Sequence, residues 1–238
     1  VRIAMPMLPD AWRAWAWVVI VVGIVSVIYG ALVALAQTDL KRMIAYTSVN
    51  HMGYIALAVG AAGLVAGDTA EARSIAVTGA VTQMVSHGLI TGALFLLAGV
   101  LNDRADSYDM DAYGGLAAPA PRFAALFALG AFASLGLPGF SGFIAEFQIF
   151  TGSIAAAPAT AIAVVGILIT AALFLRALQR IFTGHTRGKS TGFGDLHPAE
   201  LWSVGSLLLL SVLIGVFPRP LLDVIEPASE VLIDLVGR

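Results

Sequence analysis

Long apolar stretches, separated by polar or Gly- and Pro-containing joints, dominate the chain. They cover about residues 14–36, 41–66, 73–101, 122–154, 158–182 and 201–222. A helix needs about 20 apolar residues to cross the roughly 30 Å hydrocarbon layer of a bilayer. The pattern therefore predicts an all-α, polytopic membrane bundle with about six full spans, forming a single membrane domain over residues 1–238. The fourth stretch is too long for one straight crossing and is interrupted by Gly136-Leu137-Pro138-Gly139-Phe140-Ser141-Gly142, so one span is expected to break within the membrane. Val1-Arg2-Ile3-Ala4-Met5-Pro6-Met7 reads as a stub, the last turn of an apolar helix ended by Pro6 and Pro9. The expectation is a fragment whose amino-terminal half precedes Val1. No repeat of 20 to 50 residues, the mark of a solenoid, is visible.

Composition agrees with this pattern. Of 238 residues, 59% are hydrophobic and 12% charged, against about 25% charged in a soluble domain. Mean hydropathy is +0.91. A net charge of -2 argues against a nucleic-acid surface. The absence of cysteine removes thiolate metal sites, iron-sulfur ligation and disulfides from this chain. No Walker loop, dinucleotide fingerprint or metal-spaced histidine pair occurs.

The positions of the charges predict the topology. If the helices cross alternately, the first, third and fifth joints share one side. That side carries Lys41, Arg42, Arg104, Arg122, Arg176, Arg180, Arg187 and Lys189, whereas the other joints and the chain ends carry Arg2, Arg13, Arg73, Arg219 and Arg238. The positive-inside rule puts the first set in the cytoplasm. Trp12, Trp15, Trp17 and Trp202 lie near span ends, as an interfacial aromatic belt would.

Glu146 is the strongest chemical signal, an acid in the apolar run Gly142-Phe143-Ile144-Ala145-Glu146-Phe147-Gln148-Ile149-Phe150, just after the break formed by Gly136, Pro138, Gly139 and Gly142. A carboxylate at mid-membrane costs roughly 2.5–3.5 kcal/mol on insertion scales, so it belongs in a bundle interior or a hydrated cavity, where it suits proton relay. Broken backbone is tolerated only against protein or water, and its helix ends can face a polar path. On the second span Thr47, Ser48, His51 and Tyr54 share a helical face. On the third, Thr78, Thr82 and Ser86 form one row, and Gln83, His87 and Thr91 its neighbour. His51 and His87 therefore join Glu146 as candidate relay groups, with Ser48, Tyr54 and Thr82 as supporting polar positions. Interhelical hydrogen bonding is the alternative role of such residues. Lys41 and Arg42 are explained by snorkelling at a span end, while Lys41 and the deeper Arg176 remain candidates for the edge of the path. Gly88-x-x-x-Gly92 predicts close helix packing. His185 and His197 fall in a polar loop and are expected to be solvated.

Gln37-Thr38-Asp39-Leu40-Lys41-Arg42-Met43-Ile44-Ala45-Tyr46-Thr47-Ser48-Val49-Asn50-His51-Met52-Gly53-Tyr54, Ser86-His87-Gly88-Leu89 with Ala93-Leu94-Phe95-Leu96, Gly114-Gly115-Leu116, and Ser134 to Phe143 with Glu146-Phe147 resemble the antiporter-like membrane subunits of respiratory complex I. An acid at Glu146, and Phe217-Pro218-Arg219-Pro220-Leu221-Leu222 followed by a short tail, resemble the M-type chain. The resemblance implies a fourteen-helix fold of two inverted repeats, of which this chain would be the carboxy-terminal part. It implies that Glu146 lies at an outlet-side half-channel and that His51 and His87 lie on the hydrophilic axis leading to it. The family's membrane glutamate and earlier lysines would precede Val1. Ala145 and Asn50 depart from the glycine and serine usual at those positions.

The implied function is a non-redox, proton-translocating subunit of NADH:quinone oxidoreductase, a multi-pass protein of a bacterial or archaeal cytoplasmic membrane. NADH, FMN, iron-sulfur clusters and quinone would sit on partner subunits, and L-type and N-type chains would be neighbours alongside lipid. A subunit of a Mrp-type Na+/H+ antiporter or membrane-bound hydrogenase is the alternative within the superfamily. A structural spacer without transport is the alternative outside it.

Overall fold

The computed structural model describes residues 1–65 and 69–237, and it contains helices and connecting loops without a strand among those residues. The helices are α1 (Ala4–Met7), α2 (Pro9–Ala36), α3 (Leu40–Ala61), α4 (Ala70–Ala105), α5 (Pro121–Ser134), α6 (Ser141–Ala156), α7 (Val165–Phe182), α8 (Pro198–Val216) and α9 (Arg219–Gly237). A 3₁₀ segment, Pro158–Val164, leads into α7. Among the described residues, four segments are long and apolar enough to cross a bilayer: α2, α4, α7 with its 3₁₀ lead, and α8. At 22 residues α3 reaches about 33 Å. Its polar stripe dilutes its hydropathy, and it is covered by α2 and α4. Neither α5 nor α6 crosses alone, and the two succeed one another as the expected broken span.

Three boundaries differ from those expected. Pro9 starts α2 instead of ending a stub, because proline at the first helical position loses no hydrogen bond. The last crossing stops at Val216, ahead of Pro218, and not near residue 222. Beyond Pro218 the chain forms a helix in place of the expected short tail: α9 turns Ile225, Ser229, Leu232, Ile233 and Val236 inward and carries Asp223, Glu226, Glu230 and Asp234. The expected end of the second stretch at residue 66, and Arg238, lie outside the described residues.

The alternation of spans is realised. The α2–α3, α4–α5 and α7–α8 joints are knitted together on one face. Leu40 N donates to Tyr108 O (2.8 Å), Met110 N to Thr38 O (2.9 Å), Gly115 N to Thr183 O (2.9 Å) and Arg187 N to Gly114 O (3.1 Å). Asp195, from the α7–α8 joint, caps α5 by accepting from the backbone of Arg122 and Phe123 (both 3.0 Å). Burial pushes its carboxyl pKa up. The N–H groups of Arg122, Leu196 and Phe123 and the Arg122 charge outweigh that and hold it below the usual carboxylate range.

Close helix contact is set by glycines other than those expected. A Cβ on Gly23 or Gly30 would strike the α3 backbone at Leu57 or Asn50, and one on Gly53 or Gly60 would strike α2 at Val27 or Ile20. These seven-residue spacings bring α2 and α3 together. Gly79 and Gly152 do the same between α4 and α6, against Ile149 and Ala76. Gly88 has no atom near its missing Cβ, and Gly92 meets only Leu207 at 3.7 Å, so the Gly88-x-x-x-Gly92 motif does not serve close packing between the described helices.

Candidate functional site

The broken span positions the acid. α5 ends at Ser134, the chain turns through Leu135–Phe140, and α6 restarts at Ser141. The turn needs left-handed backbone at Gly136 (φ +68°) and Gly139 (φ +101°), which glycine adopts without a Cβ penalty. Gly142, expected within the break, instead lies in the first turn of α6, where its missing Cβ leaves room for the Ala133 carbonyl. Glu146 lies in the second turn of α6 and is 6% exposed, and its carboxylate packs against Gly136.

His51 and His87 converge on the same place. Their Nδ1 atoms are 3.2 Å apart, and Thr91 Oγ1 is 3.1 Å from His87 Nδ1. The rings meet edge-on with centroids 5.3 Å apart. One Nδ1 can donate to the other only if the two rings carry their protons differently, which leaves room for one proton between the two nitrogens.

These groups wall one small cavity lined by His51, Gln83, Ser86, His87, Ser134 and Glu146, among others. Its volume is about 10 Å³, enough for roughly one water molecule. Among the described residues, two buried polar atoms in its wall have no hydrogen-bond partner, Gln83 Oε1 and Ser134 Oγ. Leaving such atoms unsolvated costs about 1–3 kcal/mol each, which favours a wet interior. Glu146 also reaches a broader, more open apolar groove with Gly136, Phe147, Phe150 and Ile167, so its carboxylate stands between the two spaces.

The other expected positions separate into two groups. Tyr54 is buried with its ring 6.0 Å from His51 and 5.2 Å from Phe150, within electrostatic reach of Glu146. Thr82 is fully buried but donates to the Thr78 carbonyl of its own helix, and Ser48 donates to Ile44. Neither lines the cavity. Lys41 is exposed on the three-joint face, over the Tyr108 ring at 5.1 Å, as snorkelling implies. Arg176 donates to the Leu35 carbonyl at the end of α2, so it ties α7 to α2 and is not brought to the histidines. His185 and His197 are exposed, and His197 begins α8 as part of a capping box with Glu200. Asn50, at one of the family departures, donates to Val27 O (2.9 Å) and joins α3 to α2.

Ser141 and Ser211, which the sequence pattern did not single out, are buried hydroxyls linked to the cavity wall through Ser86. Ser86 Oγ lies 2.8 Å from Ser141 Oγ, which lies 2.8 Å from Ser211 Oγ. Ser211 is the lone polar residue between Leu207–Leu210 and Val212–Ile214, a signal that was available in the pattern.

Comparison with known proteins agrees with this architecture. Residues 1–172 match the family described as "NADH:quinone oxidoreductase/Mrp antiporter, TM". The F(420)H(2) dehydrogenase subunit M of Methanosarcina mazei is 39% identical over 99% of this chain and 46% of its own length. The NADH-quinone oxidoreductase subunit M of Rickettsia prowazekii is 36% identical over 96% of this chain and 45% of its own length. Among solved structures, a chain of respiratory complex I from Thermus thermophilus with bound NADH superposes with a TM-score of 0.90 at 33% identity, covering 100% of this chain and 48% of that one. The chain spans about half the length of the curated relatives it matches, and those relatives meet the expected M-type resemblance. It belongs to the NADH:quinone oxidoreductase/Mrp antiporter family of membrane proteins.

Proposed function

We propose that this chain carries part of the proton path of a quinone-reducing respiratory complex, as an M-type membrane subunit. The observation that carries the reading is the meeting of Glu146, His51 and His87 at one cavity beside the helix break. Protons pass between the two imidazoles at the shared Nδ1 contact and reach the Glu146 carboxylate across a space that fits one water. The open groove on the other side of Glu146 gives the carboxylate a second exposure, so that loading and unloading need not use one opening. Moving each charge against a membrane potential costs about 2.3 kcal/mol per 100 mV. That energy comes from quinone reduction on partner subunits, which also hold NADH or another donor, FMN, iron-sulfur clusters and quinone. Relatives named for F(420)H(2) and for NADH match this chain about equally; the donor is thus a property of other subunits. L-type and N-type chains are the expected membrane neighbours, and the basic three-joint face is assigned to the cytoplasm.

Glu146→Gln in the whole complex tests this reading through proton pumping per quinone reduced. Loss of most pumping with the complex assembled supports it. Unchanged pumping favours a structural spacer, and pumping that tracks sodium without quinone turnover favours the Mrp alternative.

A further inference from the structure

The three serine hydroxyls form a buried line across three helices: Ser86 on α4, Ser141 at the start of α6 and Ser211 on α8. All three are 0–1% exposed. One end of the line, Ser86, is in the wall of the cavity that holds Glu146 and both histidines. At the other end Ser211 also accepts from the Ser141 backbone N–H (3.4 Å), one of the donors that a helix start leaves without an intrahelical partner. α8 is seated directly on the break, since a Cβ on Gly215 would strike Gly139 and Phe140.

A hydroxyl has one donor and two acceptor positions, so a line of three can run in either direction. In one direction Ser211 donates to Ser141, Ser141 to Ser86, and Ser86 offers its O–H to the cavity. In the other, Ser86 donates to Ser141, Ser141 to Ser211, and Ser86 offers lone pairs. Ser211 then turns its O–H to a carbonyl one turn back in α8, as serines in helices do. The first direction suits an ionised carboxylate and the second a protonated one. Changing direction only rotates three O–H bonds, and no covalent bond is made or broken.

We propose that Ser86, Ser141 and Ser211 form a reversible hydroxyl line that follows the charge on Glu146, with Ser141 and Ser211 acting as positioning residues that link α8 to proton release. The proposal rests on the proton-path reading above. The titratable groups facing Glu146 are His51 and Tyr54 from α3 and His87 from α4; among the described residues lining its two spaces, α5, α7 and α8 contribute none. Without Ser211, the line can no longer be driven from α8 towards the carboxylate, and ionisation of Glu146 becomes harder.

The test is proton pumping per quinone reduced, as a function of pH, in the intact complex reconstituted into vesicles. Ser211→Ala is expected to move the pumping profile towards alkaline pH by about one unit, the equivalent of a tenfold change in proton affinity. Ser211→Thr, which keeps the hydroxyl, should restore it. Ser206→Ala, an exposed serine bonded within α8, should leave it in place. Ser141→Ala should shift the profile in the same sense, and if that variant fails to assemble, Ser211→Ala and its threonine rescue decide the matter. An unshifted profile in assembled Ser211→Ala, or an equal shift in Ser206→Ala, overturns the proposal. If Glu146→Gln abolishes pumping in the same membranes, the proton-path reading survives that failure. If Glu146→Gln pumps normally, both fall.

Discussion

At the scale of single residues, chemistry was most legible where a polar group interrupts an apolar run at a cost. Glu146 and the two histidines met that condition, and the fold brings them to one cavity. Serine does not announce itself in this way, because its hydroxyl is satisfied by its own helix as readily as by a neighbour. Thr82 and Ser48 take that local option, whereas Ser141 and Ser211 reach across helices. Gly136 is a further case, since its missing Cβ is what leaves room for the Glu146 carboxylate. Gly136→Ala should cost about 1–2 kcal/mol for left-handed backbone and, in addition, reduce pumping at least severalfold by displacing the carboxylate. Gly139→Ala bears a backbone penalty too but places no atom near Glu146, so it should retain more pumping. Thermal melting and proton pumping of the two variants side by side separate strain from displacement; equal pumping in both would remove Gly136 from the site.

At the scale of elements, span existence followed from apolar length, but packing partners did not. Gly88 and Gly92 match the small-residue motif of membrane helix pairs, and yet Gly88 faces open space and Gly92 meets only the Leu207 side chain of α8 at 3.7 Å. Gly23, Gly30, Gly53 and Gly60, at a longer spacing, hold α2 against α3. The motif specifies that helices can approach, and the rotation of the helix decides whether they do. Gly53→Leu should therefore cost about 3 kcal/mol or more through overpacking, while Gly88→Leu should stay within about 0.5 kcal/mol by the same thermal assay in the isolated chain. The reverse order would contradict the close approach of α2 and α3 at Gly53. Asp195 gives a pH-dependent element. Its carboxyl is held below its ordinary range, so its capping contribution is complete above the unfolded value near pH 4 and is lost as pH falls through the lowered folded value. Asp195→Ala should cost about 1 kcal/mol at neutral pH. The difference from the parent protein should vanish in strong acid, and a difference that persisted there would assign the loss to packing.

At the scale of the whole molecule, alternation of spans correctly grouped three joints on one face, and the hydrogen bonds between those joints could be anticipated only from their being neighbours. The carboxy-terminal helix α9 was not legible as a separate element. Pro218 and Pro220 marked an end, but an amphipathic helix with four acids reads as polar tail when hydropathy is the only guide. Charge orients the bundle, with the basic joints assigned to the cytoplasm. In right-side-out vesicles, an impermeant thiol reagent should then label Glu230→Cys on α9 and spare Thr191→Cys in the α7–α8 joint. Labelling in the opposite sense would invert the topology and exchange inlet for outlet.

On the proposed reading, one carboxyl at the helix break gains and loses a proton during turnover. Infrared difference spectroscopy of the intact complex, triggered by quinone reduction, reports this directly as a carboxyl C=O stretch that appears or disappears. Such a band is expected in the parent complex and its loss in Glu146→Gln, with electron transfer still measurable. The same band surviving in Glu146→Gln would show that another group carries the proton.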